Sequence, residues 1–287
     1  MLMEAGASNT AGLLDFPDEH RAADAKTRRV PLSESRNGSE TSVGKALTLL
    51  DAFGGPRTVL GVSELAVRAG LPKSTAFRLL SVLLESGYVR RVGDRYSLTE
   101  HIFELGQRVS SCRPNGLRER ALPFMTELYA ETRETVHLGV LRGTEVLYLE
   151  KIFGHHAAPC TTSVGTRRPA YCTALGKAIL AFSDSVAQEA ILESPMSRHT
   201  PYTLSQPGQL SISLQRVREN GFATDLQESH LGVVCLAAPL IDRATGRAVA
   251  ALSISSTTAR GDIRRYAARL SRSSETLSSL IQPSMAS

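Results

Sequence analysis

The sequence predicts an α+β chain: a winged helix-turn-helix near the N-terminus, a linking helix, and a larger domain mixing strands with helices. Three observations predict it. A short helical pattern stops at Gly70, turns at Leu71-Pro72 and restarts at Lys73. A basic hairpin pattern follows, residues 88–92 and 95–98 about Gly93-Asp94. From Thr135 onward, strand-like runs alternate with helical ones.

With 287 residues, 42% hydrophobic and 21% charged, the chain is long enough for two compact domains with cores of their own. No apolar run approaches the roughly 18 residues that span a bilayer, and no basic-then-apolar leader opens the sequence. Cys112, Cys160, Cys172 and Cys235 are widely spaced and form no Cys-x-x-Cys pair. A disulfide framework or a cysteine zinc site is not expected, and a reducing, cytoplasmic setting is. The net charge of +5 permits an acidic partner without identifying one.

Residues 1–41 lack apolar periodicity and read as a disordered tail. Its charges favour acid, so it is not a basic arm for nucleic acid. Structure is expected from Ser42, as N-cap, with Ala46, Leu47, Leu49, Leu50 and Phe53 at helical spacing before Gly54-Gly55-Pro56. Ser63 is the expected cap of a second helix carrying Leu65, Ala66 and Ala69. Gly70 supplies the positive φ of the corner, and Pro72 pre-sets φ for the next helix.

That helix, residues 73–86, places Ala76, Leu79, Leu80, Leu83 and Leu84 on one buried face. Ser74, Arg78, Ser81 and Glu85 fall opposite, with Thr75 and Phe77 at the margins and Lys73 at the start. Short hydroxyls and one Arg near a helix start suit a major groove: hydroxyls reach phosphates or base edges, and Arg pairs bidentately with guanine. Taken alone, the same face fits an ordinary solvated helix. The hairpin decides between them. Arg90, Arg91 and Arg95 cluster at its turn, where they would neutralise phosphates. Over residues 43–98 the bases Lys45, Arg57, Arg68, Lys73, Arg78, Arg90, Arg91 and Arg95 outnumber Asp51, Glu64, Glu85 and Asp94. Residues 42–98 therefore read as a DNA-binding domain.

Thr99 caps a linker helix with Ile102, Leu105 and Val109 on one side, interrupted at Pro114-Asn115-Gly116, so residues 99–116 form the linker. Over residues 117–132 a helix turns Leu122, Met125, Leu128 and Tyr129 inward. Helices at such a junction are natural dimer contacts, with purely intramolecular packing the alternative. Strands follow at 136–142 and 145–152, about Gly143-Thr144. Helices are expected at 173–182, 185–192 and 210–220, strands at 222–225, 233–241 and 248–255, and a closing helix at 263–281. Strand runs joined by short turns imply an antiparallel sheet within residues 117–287.

At this point motifs spread from Ser42 to the C-terminus resemble the IclR family of bacterial transcription regulators. They are Gly70-Leu71-Pro72-Lys73-Ser74-Thr75 with Arg78-Leu79-Leu80, Thr173-Ala174-Leu175-Gly176-Lys177-Ala178, Gly221-Phe222-Ala223-Thr224-Asp225, and Cys235-Leu236-Ala237-Ala238-Pro239 continuing to Ser253-Ile254-Ser255. The resemblance implies a C-terminal effector domain similar to GAF and PAS folds. It implies homodimers or homotetramers on palindromic operators, with an organic acid or an aromatic or sugar-derived metabolite tuning repression or activation. It also implies an effector pocket at the positions matching Gly165, Asp225, Cys235, Ser253 and Ser255. Many members carry two acidic residues soon after the aspartate; here the chain reads Leu226-Gln227-Glu228.

The residues themselves point away from an enzyme, a cofactor or a metal. Gly176-Lys177-Ala178 lacks the Ser/Thr after Lys and the earlier Gly of a phosphate loop, and no His-Glu-x-x-His or Gly-x-Ser-x-Gly occurs. Lys177 reads as a helix residue facing the sheet edge or solvent. His155-His156 with Cys160 lacks a fourth ligand. Asp225, after a short strand, either orients a polar ligand or caps a turn. Ser253 and Ser255 alternate with Leu252 and Ile254, so both hydroxyls share one sheet face, where a polar cavity suits them better than a plain core. Cys235 by its chemistry is a small buried apolar residue. A second reading of another class makes it the reactive thiol of a redox sensor or enzyme.

Overall fold

The computed structural model describes residues 41–55, 57–109, 116–155 and 162–281. The expected tail before Thr41, the interruption at Pro114-Asn115, and His156 with Cys160 lie outside the described residues. The chain divides into two compact units, one ending at Ser97 and the other beginning at Leu98.

In the first unit, α1 (Ser42–Asp51), α2 (Val62–Ala69) and α3 (Lys73–Glu85) precede a two-stranded sheet of β1 (Val89–Val92) and β2 (Arg95–Leu98). Leu49, Phe53, Leu60, Leu65, Leu80 and Val89 form its core. The α1 cap is Thr41, one residue earlier than expected: its side chain accepts the Gly44 N–H at 3.0 Å. The α2 N-cap position falls at Gly61 rather than Ser63. Gly70 closes α2 at φ +65, and the Leu71 N–H reaches back to the Ala66 carbonyl at 2.9 Å. The α3 face is narrower than the periodicity predicts. Ala76, Leu79, Leu80 and Leu83 are buried, whereas Leu84 is 37% exposed, as Leu47 of α1 is 58% exposed. Sequence periodicity did not reveal a third sheet position: Leu60 bridges Tyr96 through paired bonds of 2.9 and 2.8 Å.

The second unit holds a six-stranded, wholly antiparallel sheet in the order β5-β4-β3-β8-β7-β6. These strands are β3 (Thr135–Arg142), β4 (Glu145–Ile152), β5 (Arg167–Pro169), β6 (Ala223–Leu226), β7 (Val233–Asp242) and β8 (Arg247–Thr257). Each face carries its own core, because strand side chains alternate. On one face, Val136, Leu138, Leu236, Leu252 and Ile254 pack with Met125 and Leu128 of α5 (Leu117–Thr132) and Leu270 and Leu277 of the closing helix. On the other, Val146, Ala237 and Ala251 pack with Leu175 and Ile179 of α6 (Ala174–Leu180), Ile191 of α7 (Ser185–Leu192) and Leu214 of α8 (Pro207–Asn220). Fully burying one such Leu contributes roughly 1.5–3 kcal/mol.

Glu100–Gly106 forms the short α4, with Ile102 and Leu105 half-buried and Val109 exposed beyond its end. Leu122 of α5 is exposed; Ala121, one position back, occupies the inward row with Leu117, Met125, Leu128 and Thr132. The closing helix α9 spans Ala267–Ser279, entered through a 3-10 turn at Ile263–Tyr266. Helix α6 is entirely buried, Lys177 included, against the expectation that this lysine faces the sheet edge or solvent. No helix among the described residues is long and apolar enough to cross a membrane.

Candidate nucleic-acid interface and candidate effector cavity

The first candidate site is the outer face of α3 with the hairpin. Lys73, Ser74, Arg78 and Ser81 are exposed, Phe77 is 52% exposed, and Thr75 is half-buried. The Ser81 hydroxyl donates to the Phe77 carbonyl at 3.2 Å, so toward DNA it can act only as an acceptor while that bond holds. Arg90, Arg91 and Arg95 are all exposed on the hairpin. Tyr96 is buried, with the Arg91 guanidinium 5.9 Å from its ring centroid. Arg68 has a structural task instead. It pairs with Glu64 at 2.7 Å and donates to the Ala52 and Gly54 carbonyls at 3.3 and 3.1 Å, tying down the end of α1.

The second is a cavity between the sheet and the start of α6. Asp225, Cys235, Ser253 and Ser255 line it together, as do His137, Tyr148, Thr162, Arg168, Thr173 and Ser229. The strand register brings them there. Asp225 of β6 is opposite Cys235 of β7, Cys235 is opposite Ser255 of β8, and Ser253 is opposite His137 of β3. Ser253 and Ser255 share the cavity face, while Leu252 and Ile254 enter the α5/α9 core. Gly165 is not among the lining residues. It sits in an exposed turn, its N–H donating to the Tyr148 carbonyl at 2.8 Å.

The polar groups in the cavity wall bond to one another across the strands. The Cys235 thiol lies 3.1 Å from the Ser255 hydroxyl, which approaches His137 Nδ1 at 3.4 Å. His137 Nε2 meets the Thr162 hydroxyl at 3.1 Å. Burial, and then the nearby Lys151 charge, push the His137 pKa down to about 3, so the imidazole stays neutral at physiological pH. Asp225 accepts from the Glu228 N–H at 2.7 Å and the Ser229 hydroxyl at 2.5 Å, yet burial still raises its pKa above the ordinary range. Behind it, Lys177 Nζ meets Glu228 Oε1 at 2.5 Å, and burial raises the Glu228 value too. The sequence reading missed His137, Arg168, Lys177 and Glu228. A lysine inside the otherwise apolar run 174–181 was the available signal for a buried charge. Among the described residues no cluster of three or more His, Cys, Asp or Glu could hold a metal.

Comparison with known proteins places this geometry. The family description "IclR helix-turn-helix domain" matches residues 42–93, and "Bacterial transcriptional regulator IclR C-terminal" matches residues 110–279. The chain belongs to the IclR family. It is 36% identical over 224 residues to the HTH-type transcriptional regulator XynR of Escherichia coli, covering 77% of this chain and 88% of the relative. It is 37% identical over 225 residues to the regulator KdgR of the same organism, covering 77% and 84%. An IclR homolog from Microbacterium hydrocarbonoxydans, solved with 4-hydroxybenzoate, superposes with a TM-score of 0.76 at 25% identity, covering 84% of this chain and 98% of that one. The IclR of Thermotoga maritima gives 0.68 at 29% identity, covering 83% and 97%. This chain is thus a DNA-binding transcriptional regulator with an effector domain, not an enzyme, and the thiol-based alternative is not favoured.

Proposed function

We propose that residues 42–98 bind a palindromic operator as the DNA-binding domain of a cytoplasmic homodimer or homotetramer, joined through residues 99–116 to an effector domain over 117–287. In this reading the regulator acts as a repressor. Lys73, Ser74, Thr75, Phe77, Arg78 and Ser81 read the major groove, and Arg90, Arg91 and Arg95 grip phosphates. The effector is a small organic acid or an aromatic or sugar-derived metabolite, held by Asp225, Cys235, Ser253 and Ser255.

One observation carries the effector half. Ser253 is only 2% exposed, lines the cavity and stands opposite His137 of β3. A polar ligand in the cavity gains a hydrogen bond to the Ser253 hydroxyl, a net contribution of about 0.5–1.5 kcal/mol. A thermal-shift series with 4-hydroxybenzoate, pyruvate, D-gluconate and glycerol tests this. A true effector raises the melting temperature with concentration, and Ser253→Ala abolishes the rise. An unchanged rise in that variant removes Ser253 from the site.

The DNA half makes a separable prediction. Arg78→Ala lowers operator affinity about 10- to 100-fold and leaves random-duplex binding nearly unchanged, as loss of a base contact should. Arg91→Ala weakens both and flattens the slope of log K against log salt by about 0.9, as loss of one phosphate contact should. Gel shifts on both duplexes over a salt series check this. Equal losses on the two duplexes for Arg78→Ala contradict the assignment.

A further inference from the structure

The cavity has two walls from distant parts of the sequence. Thr173, Ala174 and Leu175, at the start of α6, form one. Asp225, Ser229, His230 and Val233, at the β6–β7 connection, form the other. Lys177 lies one helical step beyond the first wall and Glu228 within the second. Their side chains meet at 2.5 Å, and each residue is buried, Lys177 to 1% exposure and Glu228 to 6%.

We propose that Lys177 and Glu228 are positioning residues for effector recognition: this buried ion pair ties the two walls together and fixes the cavity's width and contour. The proposal rests on the cavity being the effector site.

The connection is built to transmit such a tie. Gln227 adopts φ +64, rare for a residue with a side chain. Its N–H donates to the Val233 carbonyl at 3.0 Å, and its Oε1 accepts the Gly232 N–H at 2.9 Å. The Thr200 hydroxyl donates to the Gln227 carbonyl and the Thr203 hydroxyl to the Glu228 carbonyl, each at 2.7 Å. Asp225 binds the Glu228 N–H and the Ser229 hydroxyl. The segment is therefore stiff, and Glu228 is its direct ion-pair link to α6. Displacing Glu228 carries Asp225 and Ser229 with it.

Charge makes the tie specific. Asp225, Glu228, Lys177 and Arg168 all lie close enough to act on the buried Cys172, two negative and two positive. Removing one member leaves an uncompensated buried charge, whereas removing both partners of the inner pair keeps the balance. The informative variant is therefore the double replacement Lys177→Met/Glu228→Gln, close to the original side chains in shape and neutral in sum.

The test uses the full chain without DNA or added effector. Cys235 faces the cavity and is half-buried, so its alkylation by iodoacetamide, mapped by mass spectrometry, reports on access between the walls. In the double variant we expect Cys235 labelling and amide exchange at residues 227–232 to rise at least about 10-fold, as local opening does. Exchange at Val136, Leu252 and Ile254, on the opposite sheet face, should stay within about 2-fold. A pair that only adds bulk stability would raise all of these together. That outcome, or labelling and loop exchange within about 2-fold of wild type, overturns the proposal.

Should the double variant not fold, the native protein still decides. The Glu228, Ser229 and Gly232 amides are then expected to be protected at least about 100-fold over an unstructured peptide, and exchange within about 10-fold of peptide rates overturns the tie. A cavity that binds nothing would leave both measurements intact, so failure of the effector reading shows itself separately, as a wild-type melting temperature unmoved by the acids tested above.

Discussion

Replacing Gly176 by alanine is expected to lower the stability of the second unit by about 1–3 kcal/mol, read as a reduced urea midpoint. Propensity alone argues the other way, since Ala is favoured over Gly in a helix by about 1 kcal/mol. Space decides. A Cβ at Gly176 would lie 2.1 Å from the Ala170 carbonyl oxygen and 2.4 Å from its Cα, both backbone atoms. The 3-10 turn Ala170–Cys172 cannot withdraw easily. Ala170 N–H is bonded to the Thr144 carbonyl at 3.0 Å, and the Thr173 hydroxyl lies 3.3 Å from the Pro169 carbonyl. Helix α6 cannot move outward either, because all its residues are buried. Gly208→Ala is the control. Nothing stands within 4 Å of its added Cβ, and it should be neutral or slightly stabilising. A Gly176→Ala protein as stable as wild type would show that this junction yields.

The second large effect is in acid. His137 titrates near 3 in the folded chain, against about 6.5 unfolded, because burial and then Lys151 disfavour the cation. Between these values the unfolded chain binds the proton and the folded chain does not. The stability that neutral His137 contributes is full above about pH 6.5 and is lost at about 1.4 kcal/mol per unit as pH falls toward 3. Asp225 and Glu228 act oppositely. Their pKa values are raised by burial, so their contribution is fully present below the unfolded carboxylate range and lost as pH rises through the folded values. The His137 effect is therefore isolated by difference. Urea unfolding of wild type and His137→Gln at pH 7 and pH 5 should show the wild type losing about 2 kcal/mol relative to the variant. Parallel stabilities at the two pH values would rule out a neutral buried imidazole as the source.

Local features were legible in the sequence, and pairings at long range were not. The α2–α3 corner shows in Gly70-Leu71-Pro72, and the hairpin β3–β4 in two strand runs about Gly143-Thr144. The shared face of Ser253 and Ser255 follows from strand alternation. Leu60 was missed because one bridged residue has no period. Strand β5 has three residues and exists by pairing with β4. Leu47, Leu84 and Leu122 fit helical spacing, yet spacing cannot say how wide the buried stripe is. The burial of Lys177 depends on a partner 51 residues away, and that of His137 on neighbours at Thr162 and Ser255.

Strand β8 runs through the middle of the second unit, with a different environment on each side. Its odd positions 253 and 255 face the cavity, and its even positions 252 and 254 sit in the layer beneath α5 and α9. Between residues 252 and 255, side-chain parity thus separates cavity lining from packing. Changes at 253 and 255 alter the cavity lining while sparing the layer beneath α5 and α9. Changes at even positions alter how firmly the unit is held together while leaving the cavity's chemistry as it was. On the proposed effector reading, ligand preference can drift at 253 and 255 without a matching loss of packing beneath α5 and α9, because one strand keeps the two kinds of change one residue apart.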